Sequence, residues 1–394
     1  MNPAKRILWA FAALLVAGCI WLPCLHFVYQ KPASAFKSPE GLSPLARQLA
    51  ARHLQLWTEP ALREQELRKM RASNAEWDFM GRTFLVWSLA NMSLREPAAK
   101  AGYLRTMDEI IDETIRLERD KGMYFFLMPY ATARRYVVQP AHSLFLDGEI
   151  AMMLACRRIV EERPDYKPML TDLVDAINGR FTNSPNLLLE SYPDECWMFD
   201  HVVALGALRI TDALDGTDHS ALIRNWVGMA KKKLVHDQTG ILITSFTTDP
   251  APLDGPEGST IWLVAHFLQL LDEDFARDQY QRARKELGRI KLGFGYAQEW
   301  PATWEGQPDI DSGPIIPFFK ISAGSSGMAV IGASAFKDEQ FLSSLATTLD
   351  FAAFPSTKSG RLKYCASNQV GDAVLLYAAT LGPVWDKAKQ LRKL

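Results

Sequence analysis

The sequence lacks an excess of charge of either sign. Lysine and arginine together number 44, and aspartate and glutamate together number 45, among 394 residues. Proteins that bind nucleic acid through its phosphates usually present a strongly basic surface, so the balanced charge argues against a nucleic-acid partner. The Gly-x-Ser-x-Gly elbow of serine hydrolases, the P-loop and the dinucleotide-binding fingerprint are also missing. The sequence therefore gives no support to the enzyme classes that depend on these motifs.

Cysteine is scarce as well. Of five cysteines, Cys19 and Cys24 lie in an apolar N-terminal run, which leaves Cys156, Cys196 and Cys365 without any Cys-x-x-Cys pair. An odd number with these spacings predicts neither a disulfide framework nor a zinc site, and no metal is expected. One disulfide among the three stays open, and the sequence does not place it.

The N-terminus has the pattern of a membrane anchor. Lys5 and Arg6 precede an apolar run from Ile7 to Tyr29, which is long enough to cross a bilayer. The basic flank predicts a cytoplasmic N-terminus in a bacterial inner membrane, with the bulk of the chain in the periplasm. The stretch 16–19 resembles a lipoprotein cleavage box, but the residues after it stay apolar. We therefore favour an uncleaved anchor (1–29), with a lipoprotein or a cleaved signal as the alternatives.

A linker (30–44) is predicted to precede one domain (45–394), in which apolar helices alternate with amphipathic ones. The apolar helices are predicted to start near Trp77, Ser143, Trp197, Gly258, Ser312 and Asn368, roughly 55 to 65 residues apart. Their amphipathic partners are predicted at 98–120, 165–180, 218–236, 273–293, 337–350 and 384–394. Strand signals are confined to 241–244 and the aromatic run 123–130. The pattern predicts an all-α (α/α)6 toroid of six helical hairpins, with the apolar helices inside; an open solenoid is the alternative.

The segments that lead into the apolar helices share acids, glycine and tryptophan, and 190–201 is the richest of them. If all inner helices start at one end, these segments converge on one rim and form a funnel. The substrate-binding candidates are Trp77, Asp78, Arg82, Asp147, Tyr192, Trp197, His201, Trp262, Asp309 and Asn368. The alternatives are core packing for the aromatic residues, a satisfied core histidine for His201, and a structural ion pair for Arg82 with Glu76 or Asp78.

Glu149 and Asp200 are the predicted catalytic pair. Proton transfer to and from a hydroxyl or glycosidic oxygen needs one protonated and one ionised group, and two acids in an apolar funnel push each other's pKa values apart. Asp311 is a third catalytic candidate. The alternatives are helix N-capping for Glu149 and Asp200, and a tight turn or a cation site for the Asp309–Asp311 pair.

Part of the chain resembles the linalool dehydratase-isomerase family. The resemblance is carried by 191–218, by the Gly148 turn into a helix, by 309–313 and by 362–364 with the helix that follows, and it spans about 123–381. It implies an (α/α)6 barrel, export, no metal or organic cofactor, and hydration, dehydration or isomerisation of a monoterpene alcohol.

The departures from that family concern the site. Aligned on Pro193-Asp194, the two cysteine positions of the family hold Ser191 and Asp200, and its histidine position holds Glu149. Cys196 lies in the same loop but out of register. A carboxylate-lined site without thiol chemistry is therefore expected.

Together these observations predict a membrane-anchored, extracytoplasmic acid–base enzyme. The first interpretation is a lyase or isomerase that adds or removes water from an alcohol. The first alternative is a glycoside hydrolase-like enzyme acting on a glycan, and the second is a non-catalytic toroid that binds a ligand or a membrane partner. The expected partners are a small-molecule or glycan substrate and the membrane; the oligomeric state stays open.

Overall fold

The computed structural model describes residues 2–304 and 313–392. Its helices, in chain order, are α1 Pro3–Cys24, α2 His26–Tyr29, α3 Ala33–Phe36, α4 Pro44–Thr58, α5 Pro60–Ser73, α6 Ala75–Arg95, α7 Lys100–Lys121, α8 Leu144–Val160, α9 Tyr166–Asn183, α10 Met198–Asp215, α11 Ser220–Lys233, α12 Gly258–Leu271, α13 Glu273–Glu286, α14 Ala323–Ala335, α15 Glu339–Ala352, α16 Gln369–Thr380 and α17 Pro383–Leu391. The strands are β1 Cys196–Trp197, β2 Ser245–Phe246, β3 Pro252–Asp254, β4 Gly288–Lys291, β5 Phe294–Ala297, β6 Ile315–Ile316, β7 Ile321–Ser322, β8 Pro355–Lys358 and β9 Arg361–Tyr364.

Six helices form a closed inner ring. In ring order they are α6, α8, α10, α12, α14 and α16, and α16 packs back against α6. Small residues allow close packing: a Cβ added to Gly148 would lie 3.0 Å from the Cβ of Ala204 on the next inner helix. Because the ring closes after six members, the predicted (α/α)6 toroid is confirmed and the open solenoid is excluded.

The two ends of the ring differ in their connections. Inner helices begin at one end, which we call the rim, and the outer helices run back toward it. The described rim connections are 122–143, 184–197, 234–257, 287–304 with 313–322, and 353–368. The connections at the opposite end, the base, are 96–99, 161–165, 216–219, 272, 336–338 and 381–382. The predicted convergence of the acid-rich segments on one end is therefore a property of the fold.

The prediction for the last amphipathic helix was wrong. We expected 384–394 to be the sixth outer helix, but α17 packs against α6, α8 and α10 at the base. Its Trp385 ring stacks on His266, with 4.8 Å between ring centroids. The outer position beside α16 is taken by α4. The apolar face of α17 is thus covered by the inner ring, where it closes the base.

The fifth inner helix also begins later than predicted, at Ala323 rather than near Ser312. Residues 315–316 and 321–322 instead form β6 and β7, which extend the β4–β5 hairpin into a four-stranded sheet. The predicted strand at 241–244 makes only an isolated bridge between Val235 and Leu242, and 123–130 contains two short 3-10 turns. Prolines 314 and 317 account for the delay, because neither can continue a helix.

The N-terminal segment Pro3–Tyr29 is helical and apolar, with a mean hydropathy of 2.2 and none of its most apolar window buried. By length and composition it could cross a membrane. The linker is not free of structure, because α3 packs on α15 and Phe36 is buried there.

Candidate active site

The structure brings Glu149 and Asp200 to neighbouring inner helices near the rim. Glu149 lies in the second turn of α8, and Asp200 lies in the first turn of α10. Both carboxyls are almost fully buried, with 1% and 5% of their surface exposed. Glu149 interacts electrostatically with Asp200 and with Glu76 in the first turn of α6. Three inner helices therefore contribute one carboxyl each to the same part of the barrel.

Only one of the two carboxyl oxygens of Glu149 has a hydrogen-bond partner among the described residues. Its Oε2 lies 2.6 Å from the hydroxyl of Thr83 on α6, while its Oε1 is buried and has no hydrogen-bond partner among the described residues. The Thr83 hydroxyl also lies 3.0 Å from the backbone oxygen of Phe79. A hydroxyl has a single hydrogen. It can be donated to Glu149 or to Phe79 but not to both at once. Donation to Glu149 favours the ionised carboxylate and so opposes the effect of burial on its pKa.

Burial is the main cause of the pKa shifts in this group. It raises the pKa of Glu149 well above its usual value, with smaller contributions from Asp200 and Glu76. It also raises the pKa of Asp200 to about 8, assisted by Glu76 and Glu195 and opposed by the nearby Ser191 hydroxyl. We expected mutual repulsion to leave one acid ionised. Desolvation instead favours the protonated form of both, so neither of them is the ready-made base.

Glu76 is the carboxyl that the sequence did not single out as a site residue. It accepts a hydrogen bond from the Tyr192 hydroxyl, which in turn accepts one from the backbone N–H of Met128 at 3.0 Å. The Tyr192 ring stacks on Tyr130, with 4.7 Å between centroids. Tyr192 was predicted to bind substrate, but it is 2% exposed and its hydroxyl is engaged with Glu76. Its position suits it to orient Glu76.

A buried glutamate, Glu190, fixes the loop that precedes Asp200 and α10. The carboxylate of Glu190 accepts backbone hydrogen bonds from Val137 at 2.9 Å, Val138 at 2.8 Å and Asp194 at 2.6 Å. Three N–H donors on one carboxylate tie the rim connection 122–143 to the loop that precedes α10. This network gives the Asp200 region a defined geometry before any substrate binds.

The surroundings of Cys196 disfavour the ionised form of its thiol. Cys196 is completely buried on β1. Burial raises the pKa of the thiol, and the negative charges of nearby acids raise it further. Since the thiolate is the reactive form, burial makes Cys196 a poor candidate for thiol chemistry.

His201 is a structural residue. Its Nδ1 lies 2.7 Å from the backbone oxygen of Trp197, and its Nε2 accepts the backbone N–H of Leu189 at 3.1 Å. The ring is fully buried and faces Trp226, with 6.0 Å between centroids. Burial lowers the pKa of His201 to about 4, so the ring is neutral. The predicted substrate contact is wrong, because both ring nitrogens are already used.

We expect His201→Phe to lower the free energy of unfolding by on the order of 2 kcal/mol, because it leaves a buried N–H and a buried C=O unpaired. Denaturant unfolding of the full-length protein in detergent measures this change. His142→Gln, at a half-exposed histidine, serves as the control and should change stability by less than about 0.5 kcal/mol. A variant that kept its stability but lost ligand binding would restore the substrate-binding interpretation.

Asp78, Arg82 and Asp147 form ion pairs outside the cluster of carboxyls made by Glu76, Glu149 and Asp200. Arg82 and Asp78 form a buried ion pair at 2.7 Å, and Arg82 also reaches Glu113 on α7 at 3.4 Å. Asp147 pairs with Arg180 of α9 at 2.6 Å. The Arg82–Asp78 pair lies within α6, whereas the pairs with Glu113 and Arg180 join inner helices to outer ones. Ion pairing therefore accounts for all three residues, and the predicted substrate contacts are not supported.

Five of the remaining predicted residues lie away from this cluster of carboxyls or outside the described residues. Trp262 is fully buried and donates to the Ser325 hydroxyl at 3.2 Å, so it packs between helices and offers no platform. Trp77 and Asn368 share the lining of a separate cavity of about 280 Å³ beside α5 and α16, and Asn368 caps α16. Asp309 and Asp311 lie outside the described residues.

Two tryptophans at the rim remain half-buried and are oriented by glutamates. Trp197 donates its indole N–H to Glu195 at 3.0 Å, and Trp300 donates to Glu257 at 3.3 Å. Trp197 was predicted and Trp300 was missed, because Trp300 follows β5 rather than preceding an inner helix. Within 2–304 and 313–392, no group of three His, Cys, Asp or Glu side chains is arranged to hold a metal ion.

No family model matches the chain, and no curated protein matches it. Among solved structures it is similar to a GH76A alpha-1,6-mannanase from Salegentibacter sp., with 12% identity, a TM-score of 0.49, and coverage of 78% of this chain and 89% of that one. A possible member of the GH105 family from Salmonella enterica serovar Paratyphi A has 12% identity and a TM-score of 0.48, over 80% and 83% of the two chains. A family 105 glycoside hydrolase from C. acetobutylicum has 11% identity and a TM-score of 0.45, over 84% and 99%. These values are too low to assign an activity to this chain.

Proposed function

We propose that this protein is an acid–base enzyme that breaks a carbon–oxygen bond with the carboxyls of Asp200, Glu149 and Glu76. The observation that carries the proposal is the buried Oε1 of Glu149, which has no partner among the described residues and belongs to the group that includes Asp200 and Glu76. Buried polar atoms are nearly always hydrogen-bonded, so an exception inside a barrel suggests an atom reserved for a substrate.

Each carboxyl is assigned a role by its surroundings. Asp200, with a pKa of about 8, carries a proton at neutral pH and would donate it to the departing oxygen. Glu149, also protonated, would hydrogen-bond a substrate oxygen. Glu76, positioned by Tyr192, would accept a proton, either from an attacking water or from the carbon next to a developing cation. The first gives hydrolysis and the second gives dehydration.

A glycoside is the substrate class that the rim favours. Trp197 and Trp300 are half-buried and held through their N–H groups. Aromatic faces fixed beside carboxyl groups suit the apolar faces of sugar rings. This supports the glycoside hydrolase-like interpretation over the lyase or isomerase that we put first from the sequence.

Dehydration of an alcohol remains the second candidate because of one local observation. Phe79 and Phe145 lie one helical turn toward the rim from Thr83 and Glu149, with 5.1 Å between their ring centroids. Two buried aromatic rings beside the deepest carboxyl suit a hydrocarbon better than a sugar. The resemblance to the linalool dehydratase-isomerase family stays a hypothesis of the same kind.

The test is a substrate screen with the purified full-length protein in detergent. A panel of glycans is assayed for new reducing ends, and a panel of terpene alcohols is assayed for loss or gain of water. We expect turnover in the glycan panel that disappears in Asp200→Asn. Turnover of alcohols alone would select the second candidate. No turnover in either panel, with ligand binding retained, would favour the non-catalytic toroid and contradict the proposal.

A further inference from the structure

The exposed apolar side chains of the barrel are confined almost entirely to its rim. Outside the N-terminal helix, the exposed large hydrophobic residues of the described chain are Tyr124, Tyr130, Val137, Val138, Met169, Leu253, Leu292, Ile316, Phe318, Phe319, Phe351 and Phe354. All except Met169, in the first turns of α9, lie in rim connections or, for Phe351, in the last turn of α15 at the rim. The base connections contain none of them. Such a one-sided distribution is not expected for a barrel surrounded by water.

The most exposed part of this surface adjoins the C-terminal end of the N-terminal helix, residues His26–Tyr29, which we call the foot of that helix. Tyr29 contacts Phe351, with 5.2 Å between ring centroids, and Phe351 contacts Phe294 at 5.1 Å. His26 packs so closely over Gly293 that a Cβ there would come within 2.2 Å of its ring. Only glycine fits at that position, which also has a positive φ of 79°. The apolar helix is therefore attached to the rim by direct packing.

The same contacts continue outward to the loop between β6 and β7. Lys291, at the end of β4, lies 5.2 Å from the ring of Phe319. The preceding residue, Phe318, is completely exposed, and Phe354 beyond α15 is 66% exposed. Lys291, Lys320 and Lys358, in the same rim connections, are exposed as well. Aromatic residues interleaved with lysine are typical of surfaces that enter the headgroup region of an anionic bilayer.

We propose that the rim rests on the membrane that holds the N-terminal helix, so that the mouth of the barrel faces the lipid. Three observations support this: the one-sided apolar rim, the unburied apolar helix, and the packing of the foot of that helix on the rim. The occupant is a bilayer surface, because a helix that enters the bilayer at this point brings the neighbouring rings to the headgroups. An enzyme in this position takes substrates that partition into the membrane, a consequence that rests on the function proposed above.

Photo-crosslinking of the full-length protein tests the placement without any assay of activity. The protein is reconstituted in nanodiscs of phosphatidylethanolamine and phosphatidylglycerol, with p-benzoylphenylalanine at Phe318, Phe354, Val137 or Met169. Val137 samples the rim connection between α7 and α8, and Met169 is the matched exposed control near the base. The intact mass of the reconstituted chain confirms that residues 1–29 are retained. We expect lipid adducts at Phe318, Phe354 and Val137 that exceed those at Met169 at least several-fold.

Three results would overturn the proposal. Adducts at Phe318 and Phe354 no greater than at Met169 would show that the rim does not touch lipid. Adducts confined to Phe354 would show that the barrel reorients freely relative to the membrane and that the rest of the rim does not rest on it. Crosslinks to a second protein chain would assign the rim to self-association. Because none of these readouts depends on catalysis, a failed substrate screen leaves the result intact.

Discussion

Glu149→Gln and Asp200→Asn are each expected to lower turnover by about 10²- to 10⁴-fold, the usual contribution of a positioned proton donor or acceptor. The two amides keep the size and shape of the carboxyls but cannot supply a proton. Asp200→Asn should reduce kcat more than it changes KM, because proton donation matters in the transition state. The measurement is steady-state kinetics on the substrate found in the screen, with unfolding followed in parallel.

The control for these variants is the same chemical change at another buried acid of the inner ring. Asp372 on α16 is fully buried, and its Oδ1, like Oε1 of Glu149, has no partner among the described residues. Its other oxygen pairs with Arg52 of α4, so this carboxyl faces the outer layer. Asp372→Asn should leave the turnover of the folded protein within about twofold of wild type, because its carboxyl faces away from the Glu149 group. Full activity in Asp200→Asn, or equal loss in all three variants, would show that the carboxyl group near the rim is not the catalytic site.

The inner ring could be predicted because its helices are apolar on every side, whereas outer helices have one apolar face. That criterion identified α6, α8, α10, α12 and α16 to within a few residues. It could not place α17, since an amphipathic pattern says that one face is covered and not what covers it. For the same reason the sequence did not show that α4 is the outer partner of α16. The pattern of α4 is that of an outer helix, but α16 comes more than 300 residues later.

The hairpins at the rim were missed for different reasons. The turn between β8 and β9 consists of Ser359 and Gly360, both with positive φ, and a two-residue turn ending in glycine is a recognisable hairpin signal. The turn between β4 and β5 places Leu292 at a φ of 48°. Leucine is rarely found there, so no local preference predicts that hairpin. Packing of Gly293 under His26 holds the turn in place.

The set of acids that forms the site could be predicted only in part, because acids close together in a helix face different directions. Residues two apart in a helix point about 200° apart. Glu76 therefore joins the site while Asp78 pairs with Arg82, and Glu149 joins it while Asp147 pairs with Arg180. The sequence shows both acids of each pair but not the rotation of the helix. Asp78 and Asp147 were chosen as substrate contacts for that reason.

The same burial predicts an unusual dependence of stability on pH. The pKa of Asp200 rises from 3.8 to about 8 on folding. Below pH 4 the carboxyl is protonated in both states and has no effect. Between pH 4 and pH 8 the unfolded chain ionises freely while the folded one holds its proton, so stability falls as pH rises. Above pH 8 the effect is constant. The expected slope is about 1.4 kcal/mol per pH unit within that window.

Asp200→Asn should remove this slope, so the difference in unfolding free energy between variant and wild type should move in favour of the variant from pH 5 to pH 8. Asp215→Asn is the control of opposite sign, because the hydrogen bond from Arg158 lowers the pKa of Asp215. The loss of unfolding free energy caused by Asp215→Asn should be constant between pH 5 and pH 9, because the Asp215 carboxylate is ionised in both the folded and the unfolded state throughout that range. Denaturant unfolding of the full-length proteins across the pH range measures both. A flat difference for Asp200→Asn would mean that Asp200 is ionised in the folded protein at neutral pH. It could then not be the proton donor, whatever substrate is found, and this test needs no substrate at all.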